Sequence, residues 1–241
     1  MHVLNLLLIV GCLLLLGFAK ASAETGPCRP DAHGGLTCGQ GAGAARVVDD
    51  TMSPSKRLAF AWRSPAGPPT ENPDGGDVEI LLIRLSDGAV LWKVPGEYWN
   101  TGEMRANRYD EAALWSPNSR FAVETLDFRW STENLRVFAI GDGDKASVLD
   151  LKAIMEPAVR KQLRRAVKNE PSYAFQIFGN VNGEAPRLTI DDRGLVKALV
   201  LMTIPKQEPY AMFAVTFQVS QRNGALGARE VSVSRSRVKP W

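Results

Sequence analysis

Cys28 and Cys38 enclose the segment RPDAHGGLT, with His33 inside it. These three side chains admit two chemistries, a metal site or a disulfide. A tetrahedral ion would find two thiolates and one imidazole, a ligand short of a closed structural site. A bridge across a Gly-rich loop satisfies both cysteines in an oxidising compartment. The spacing therefore predicts a Cys28–Cys38 disulfide, with no metal and no cofactor. Bridged cysteines supply no nucleophile, and a Ser-His-Asp triad would have to use His33, the one histidine beyond His2. No Gly-x-Ser-x-Gly elbow, His-Glu-x-x-His or phosphate-cradling glycine motif occurs.

Carboxylates are the remaining catalytic route. Asp49-Asp50, Asp110-Glu111 and Asp191-Asp192 are adjacent pairs, but neighbours on a strand point to opposite faces, so a pair makes no two-carboxylate site by itself. Turn capping is the expected role for Asp at such places. A hydrolase would need acids far apart in sequence, such as Glu97, Glu103 or Glu124, to converge. GDGDK (141–145) has the closely spaced acids calcium favours, but lacks the third acid and terminal Glu of a full loop, so an ordinary hairpin is expected.

Two stretches suit binding. Residues 95–115, PGEYWNTGEMRANRYDEAALW, set Tyr98, Trp99 and Tyr109 among Asn100, Glu103, Arg105, Asn107 and Arg108. Flat apolar area with hydrogen-bonding rims suits glycans or peptide segments; the plainer role is to fill space between strands. EPAVRKQLRRAVKN (156–169) carries Ala158, Val159, Leu163, Ala166 and Val167 at helical spacing, with Pro157 suited to a first turn. Its Arg160, Lys161, Arg164, Arg165 and Lys168 crowd one side. A basic amphipathic helix can rest on anionic lipid or meet an acidic partner, and its plainer role is a solvated face over an apolar stripe.

The elements that must position these residues begin after residue 23. MHVLNLLLIVGCLLLLGFAKASA has an apolar core and ends Ala21-Ser22-Ala23, which reads as a cleaved signal peptide over 1–23; an uncleaved anchor is the alternative. Residues 24–45 form a Gly-rich segment holding the disulfide, and 46–241 a single β-repeat domain. A formal net charge of +3 gives no electrostatic case for nucleic-acid binding.

SPSKRLAF (53–60) shifted by 63 falls on SPNSRFAV (116–123). Apolar residues then alternate, Leu58, Phe60, Trp62 and Phe121, Val123, the period of a strand with one face buried. Ser-Pro with two polar residues is turn chemistry. Each copy continues into two apolar runs around Asp-Gly, at Asp87-Gly88 and Asp142-Gly143, a hairpin signal. Units are expected over about 46–94 and 110–151. A third, without Ser-Pro, covers 189–238, and YAFQIFGNV (173–181) reads as a further strand. The expected fold is mainly β: repeated three-stranded antiparallel meanders, propeller-like as an incomplete ring or open sheet, with one inserted amphipathic helix over about 156–169. A β-sandwich is the alternative.

WSPNSRFAV followed by a second strand and an Asp-Gly hairpin resembles the repeat of WD-type and Tol-Pal-type β-propeller proteins, whose blades often carry a Ser-Pro-Asp-Gly turn before a strand. Here Asn118-Ser119 and Ser55-Lys56 stand where that turn has Asp-Gly, and no Trp-Asp dipeptide occurs. Three units also fall short of the four to eight blades of a closed ring. The resemblance implies a scaffold for binding rather than a particular chemistry.

These features lead to an exported, non-catalytic binding protein of the cell envelope, periplasmic or secreted. A protein partner or self-association is expected at the 95–110 loop, through Tyr98 to Tyr109, or at the basic helix over 157–168, which is also the place for peripheral membrane contact. The alternative is a carboxylate-based hydrolase acting on polysaccharide or peptidoglycan.

Overall fold

The computed structural model describes residues 26–64, 67, 69, 78–96, 98–100, 108–128, 130–166, 173–178, 187–203, 210–222 and 224–238; the expected signal segment lies outside them. Three antiparallel sheets follow one another along the chain. The first runs in chain order through β1 (Cys28–Pro30), β2 (Leu36–Cys38), β3 (Ala45–Val47), β4 (Leu58–Arg63), β5 (Glu79–Arg84) and β6 (Val90–Val94). The second holds β7 (Trp99–Asn100), β8 (Arg108–Trp115), β9 (Phe121–Phe128), β10 (Ser131–Ile140) and β11 (Ala146–Asp150). After helix α1 (Lys152–Ala166), the third holds β12 (Ala174–Ile177), β13 (Leu188–Ile190), β14 (Leu195–Thr203), β15 (Tyr210–Arg222) and β16 (Ala225–Arg235). Among the described residues no sheet closes into a barrel.

Each sheet repeats a four-strand plan rather than the expected three. A strand precedes every repeat turn: β3 before the first, β8 before the second, and β12 with β13 before the third, both paired to β14. Arg-Val-Val and Tyr-Asp-Glu-Ala-Ala-Leu carry weak alternation, which is why this strand is hard to see in the sequence. Its register comes from its partner, as Val47 opposes Ala61 and Leu114 opposes Val123.

The sheets stack face to face in a row. Leu58, Phe60, Ile80, Leu82 and Val94 of the first sheet bury against Ala113, Ala122, Leu126, Phe138 and Ile140 of the second. Phe60 meets Phe138 edge to face with ring centroids 5.2 Å apart. The opposite face of the second sheet, through Val123, Leu135 and Val137, packs on Phe213, Val215 and Phe217 of the third sheet and on α1. The second sheet is thus buried on both faces. On the far side of the first sheet, Ala59, Ala61, Leu81 and Ile83 share a cluster with Cys38, and Cys28 and Leu36 pack against it. The two cysteines are bonded, are direct cross-strand partners and lie 3.9 Å apart at Cα. The Cys28 N–H donates to the Leu85 carbonyl, folding the hairpin back over the sheet. Gly88 allows this approach, since a Cβ there would stand 2.4 Å from the Gly26 carbonyl oxygen.

Helix α1 starts four residues before the expected Glu156 and holds Pro157 in its interior. The reason is a cap: Asp150 Oδ1 accepts the Ala153 N–H at 3.0 Å. Leu151, Met155, Val159 and Leu163 form its buried stripe at helical spacing. Among the described residues no helix is long and apolar enough to cross a membrane.

Candidate functional site

The repeat turns are built alike. Ser53 donates its N–H to the Leu58 carbonyl, accepts Lys56 N–H at its own carbonyl, and accepts the Leu58 N–H at Oγ. Ser116 makes the same three bonds with Phe121 and Ser119. Lys56 and Ser119 hold the left-handed position, with φ of 55° and 61°. The third turn is the same device shortened by one residue. Asp191 replaces Ser-Pro, its Oδ1 accepting the Arg193 and Leu195 N–H groups, and Gly194 takes the left-handed position at φ 77°. A fourth version, Asp31 to Gly35, joins β1 to β2: Asp31 Oδ1 accepts the His33 and Gly35 N–H groups, so His33 is an exposed turn residue. Replacement of Ser-Pro-x-x by Asp-x-x-Gly is the sequence signal that exposes both hidden copies.

Sheet stacking brings the three repeat turns side by side. The Ser55 N–H donates to Ser119 Oγ at 2.9 Å, and the Asn118 N–H donates to Asp192 Oδ1 at 2.8 Å. The result is a continuous polar rim with two grooves. The first, of about 350 Å³, lies between Ser55, Arg57, Ser119, Arg120 and the 140–144 turn. The second, of about 380 Å³, lies between Asn118, Arg120, Asp192, Arg193 and the end of β15 at Gln218 to Gln221. In the first, Arg57 reaches Asp144 at 2.6 Å and Arg84 reaches it at 3.3 Å. GDGDK is a hairpin turn, as expected, and its Asp144 is a buried counter-ion.

A second polar cluster sits between the first two sheets. Glu111 of β8, Glu124 of β9 and Arg136 of β10 share the face that carries Ala113, Leu126 and Phe138. Arg136 lies 3.3 Å from Glu124 Oε2. Both Glu111 carboxyl oxygens are buried with no hydrogen-bond partner among the described residues. Desolvation raises the Glu111 pKa well above the ordinary carboxylate range, and the Glu124 charge adds to the rise. Glu124 is pushed up to about 7 by desolvation, opposed by Arg136. Burial thus favours the neutral form of Glu111, while Arg136 answers the charge of Glu124. Glu124 does converge with a second acid, yet the two stand on neighbouring strands in a closed interface, where a sugar chain has no entry.

The stretch singled out for binding lies in the second sheet's outermost position. Tyr98 packs beside the Trp62 cluster. Trp99 and Asn100 form β7, paired in register with Tyr109 and Arg108. Glu97, Glu103 and Arg105 lie outside the described residues. On α1, Arg160 donates to Glu156 and to the Tyr173 carbonyl at 2.7 Å, which ties the helix to β12. Lys161 is exposed; Arg164 and Arg165 lie in the helix, and Lys168 lies outside the described residues. Among the described residues no three His, Cys, Asp or Glu side chains are placed to hold a metal ion. The sequence pointed to none of Arg120, Arg193, Asp144 and Glu111 in these settings, because each depends on a contact between sheets.

No family model, curated protein or solved structure matches this chain.

Proposed function

We propose that the chain is an exported, non-catalytic binding protein of the cell envelope, periplasmic or secreted, that docks a protein partner on the turn rim. One observation carries this reading: turns from three successive sheets are hydrogen-bonded into one surface that presents Arg57, Arg120 and Arg193 outward beside two grooves. Loops gathered on one edge of a rigid repeat scaffold are a usual place for recognition. The disulfide suits an oxidising, extracytoplasmic setting.

The test is affinity capture from a crosslinked envelope fraction with three baits. These are the disulfide-bonded protein, a rim variant (Lys56, Arg57, Arg120 and Arg193 to Gln), and a helix variant (Lys161, Arg164 and Arg165 to Gln). One partner enriched by the first and third baits and lost from the second is the expected result. Loss from the helix variant alone moves the contact to α1, where salt-sensitive binding to anionic vesicles separates lipid from protein. Enrichment of nothing specific by any bait sinks the reading. The hydrolase reading is favoured only by the meeting of Glu111 with Glu124; polysaccharide or peptidoglycan hydrolysis abolished by Glu124→Gln would restore it.

A further inference from the structure

The two rim grooves are repeats of one another, and they differ in charge. The 63-residue shift that lays Ser53 on Ser116 lays Arg57 on Arg120. In the first groove, Arg57 is answered from within the chain: the β10–β11 turn of the adjacent sheet delivers Asp144, which accepts Arg57 Nη2 at 2.6 Å. That carboxylate is 6% exposed, sits at a left-handed φ of 60° and is paired with Arg57 and Arg84. In the second groove, the corresponding turn joins β15 to β16 and reads Arg222-Asn223-Gly224. It brings no acid. Arg120 and Arg193 are exposed, and neither guanidinium has an acceptor among the described residues.

The remaining polar groups of the second groove do not fill that gap. Asp192 accepts the Asn118 N–H at Oδ1 and makes no ion pair with either arginine among the described residues, and the Gln218 amide donates to the Arg193 and Val219 carbonyls. The Gln221 amide donates to Ser147 Oγ and the Gly224 carbonyl. A planar guanidinium beside a groove of about 380 Å³ recognises a carboxylate through paired N–H donors. The first groove shows what occupies such a position in this fold: an Asp presented by a tight polypeptide turn.

We infer that the second groove is the docking site for an acidic side chain on a turn of a partner protein, which takes at Arg120 the place Asp144 takes at Arg57. This rests on the rim being the partner surface and names the chemistry of that contact.

A cyclic peptide carrying residues 140–146, Ile-Gly-Asp-Gly-Asp-Lys-Ala, is the probe, titrated onto the full disulfide-bonded protein by calorimetry and by NMR of the arginine side chains. Saturable binding is expected, weakening as salt is raised and lost when both peptide aspartates become Asn. Arg120→Gln should weaken it at least about tenfold. Arg193→Gln, which removes the second guanidinium lining the same groove, should weaken it as well. Peptide binding indifferent to both variants, or no saturable binding at all, overturns the inference. So does Arg120-dependent binding of oligogalacturonate in place of the peptide, which would assign the groove to an acidic polysaccharide. A partner still lost from the rim variant while the peptide fails to bind leaves the rim reading standing and removes this one. Peptide binding with no captured partner does the reverse.

Discussion

Glu111 and Glu124 govern how this protein answers to pH. A carboxyl whose pKa is higher folded than unfolded holds its proton more tightly in the native state. For Glu124 the contribution is therefore fully present below the unfolded value near 4.5 and is lost as pH rises through about 7, and Glu111 acts in the same sense. Asp31 and Glu79, held low by backbone N–H groups and by Lys93 and Arg63 respectively, act in the opposite sense, and their contributions fade as pH falls below about 4. Urea unfolding should thus find greatest stability near pH 5 and a loss on the order of 3 kcal/mol by pH 8. Glu111→Gln removes one of the two buried titrating carboxyls, so it should flatten that decline. A decline of unchanged slope would show that the pair does not titrate between these values.

Each element is stabilised by a local device that can be removed on its own. Ser116 is buried, its Oγ accepting the Phe121 N–H and donating to Asn118. Ser116→Ala leaves the half-buried Phe121 amide without its partner and should cost about 1 kcal/mol in chemical unfolding; Ser53→Ala should cost about 1–2 kcal/mol, because the Leu58 N–H it orphans is fully buried. Asp150→Ala should cost about 1 kcal/mol by uncapping α1. Cys28 and Cys38 close a short loop, and replacing both with Ala should cost about 2–3 kcal/mol. The loss should appear first as hydrogen-exchange opening of β1 and β2, since this hairpin lies at the edge of the first sheet, held by its short pairing with β3, the Cys28 N–H and the cluster around Ala59 and Ala61.

For the whole molecule, the second sheet is the keystone. Phe138 faces the first sheet while its neighbour Val137 faces the third, so β10 joins two cores back to back. Removing either outer sheet would expose one full face of the middle one. Unfolding monitored by far-ultraviolet dichroism and by tryptophan fluorescence should therefore coincide in a single transition. Phe138→Ala, which empties the centre of one interface and the ring contact with Phe60, should cost about 3–5 kcal/mol and move both probes together. Separate transitions would show that the sheets fold as independent units.

Local chemistry made much of this legible from the amino acids alone. Ser-Pro turns, alternating Leu58, Phe60 and Trp62, Asp-Gly hairpins and the close cysteine pair each act within a dozen residues, so their meaning does not depend on the rest of the chain. They determine a mainly β protein of repeated antiparallel units, a bridged N-terminal hairpin and one helix. The strand before each turn was not legible, because its register is imposed by β4, β9 or β14 rather than by its own pattern. Nor was the start of α1, since Asp150 caps from the end of a strand. The rim, the answered Arg57 beside the unanswered Arg120, and the raised carboxyls of Glu111 and Glu124 were decided only by the tertiary structure. They arise where residues tens of positions apart meet across stacked sheets, and the depth of burial and choice of counter-ion that give a charge its role exist only once those faces have closed.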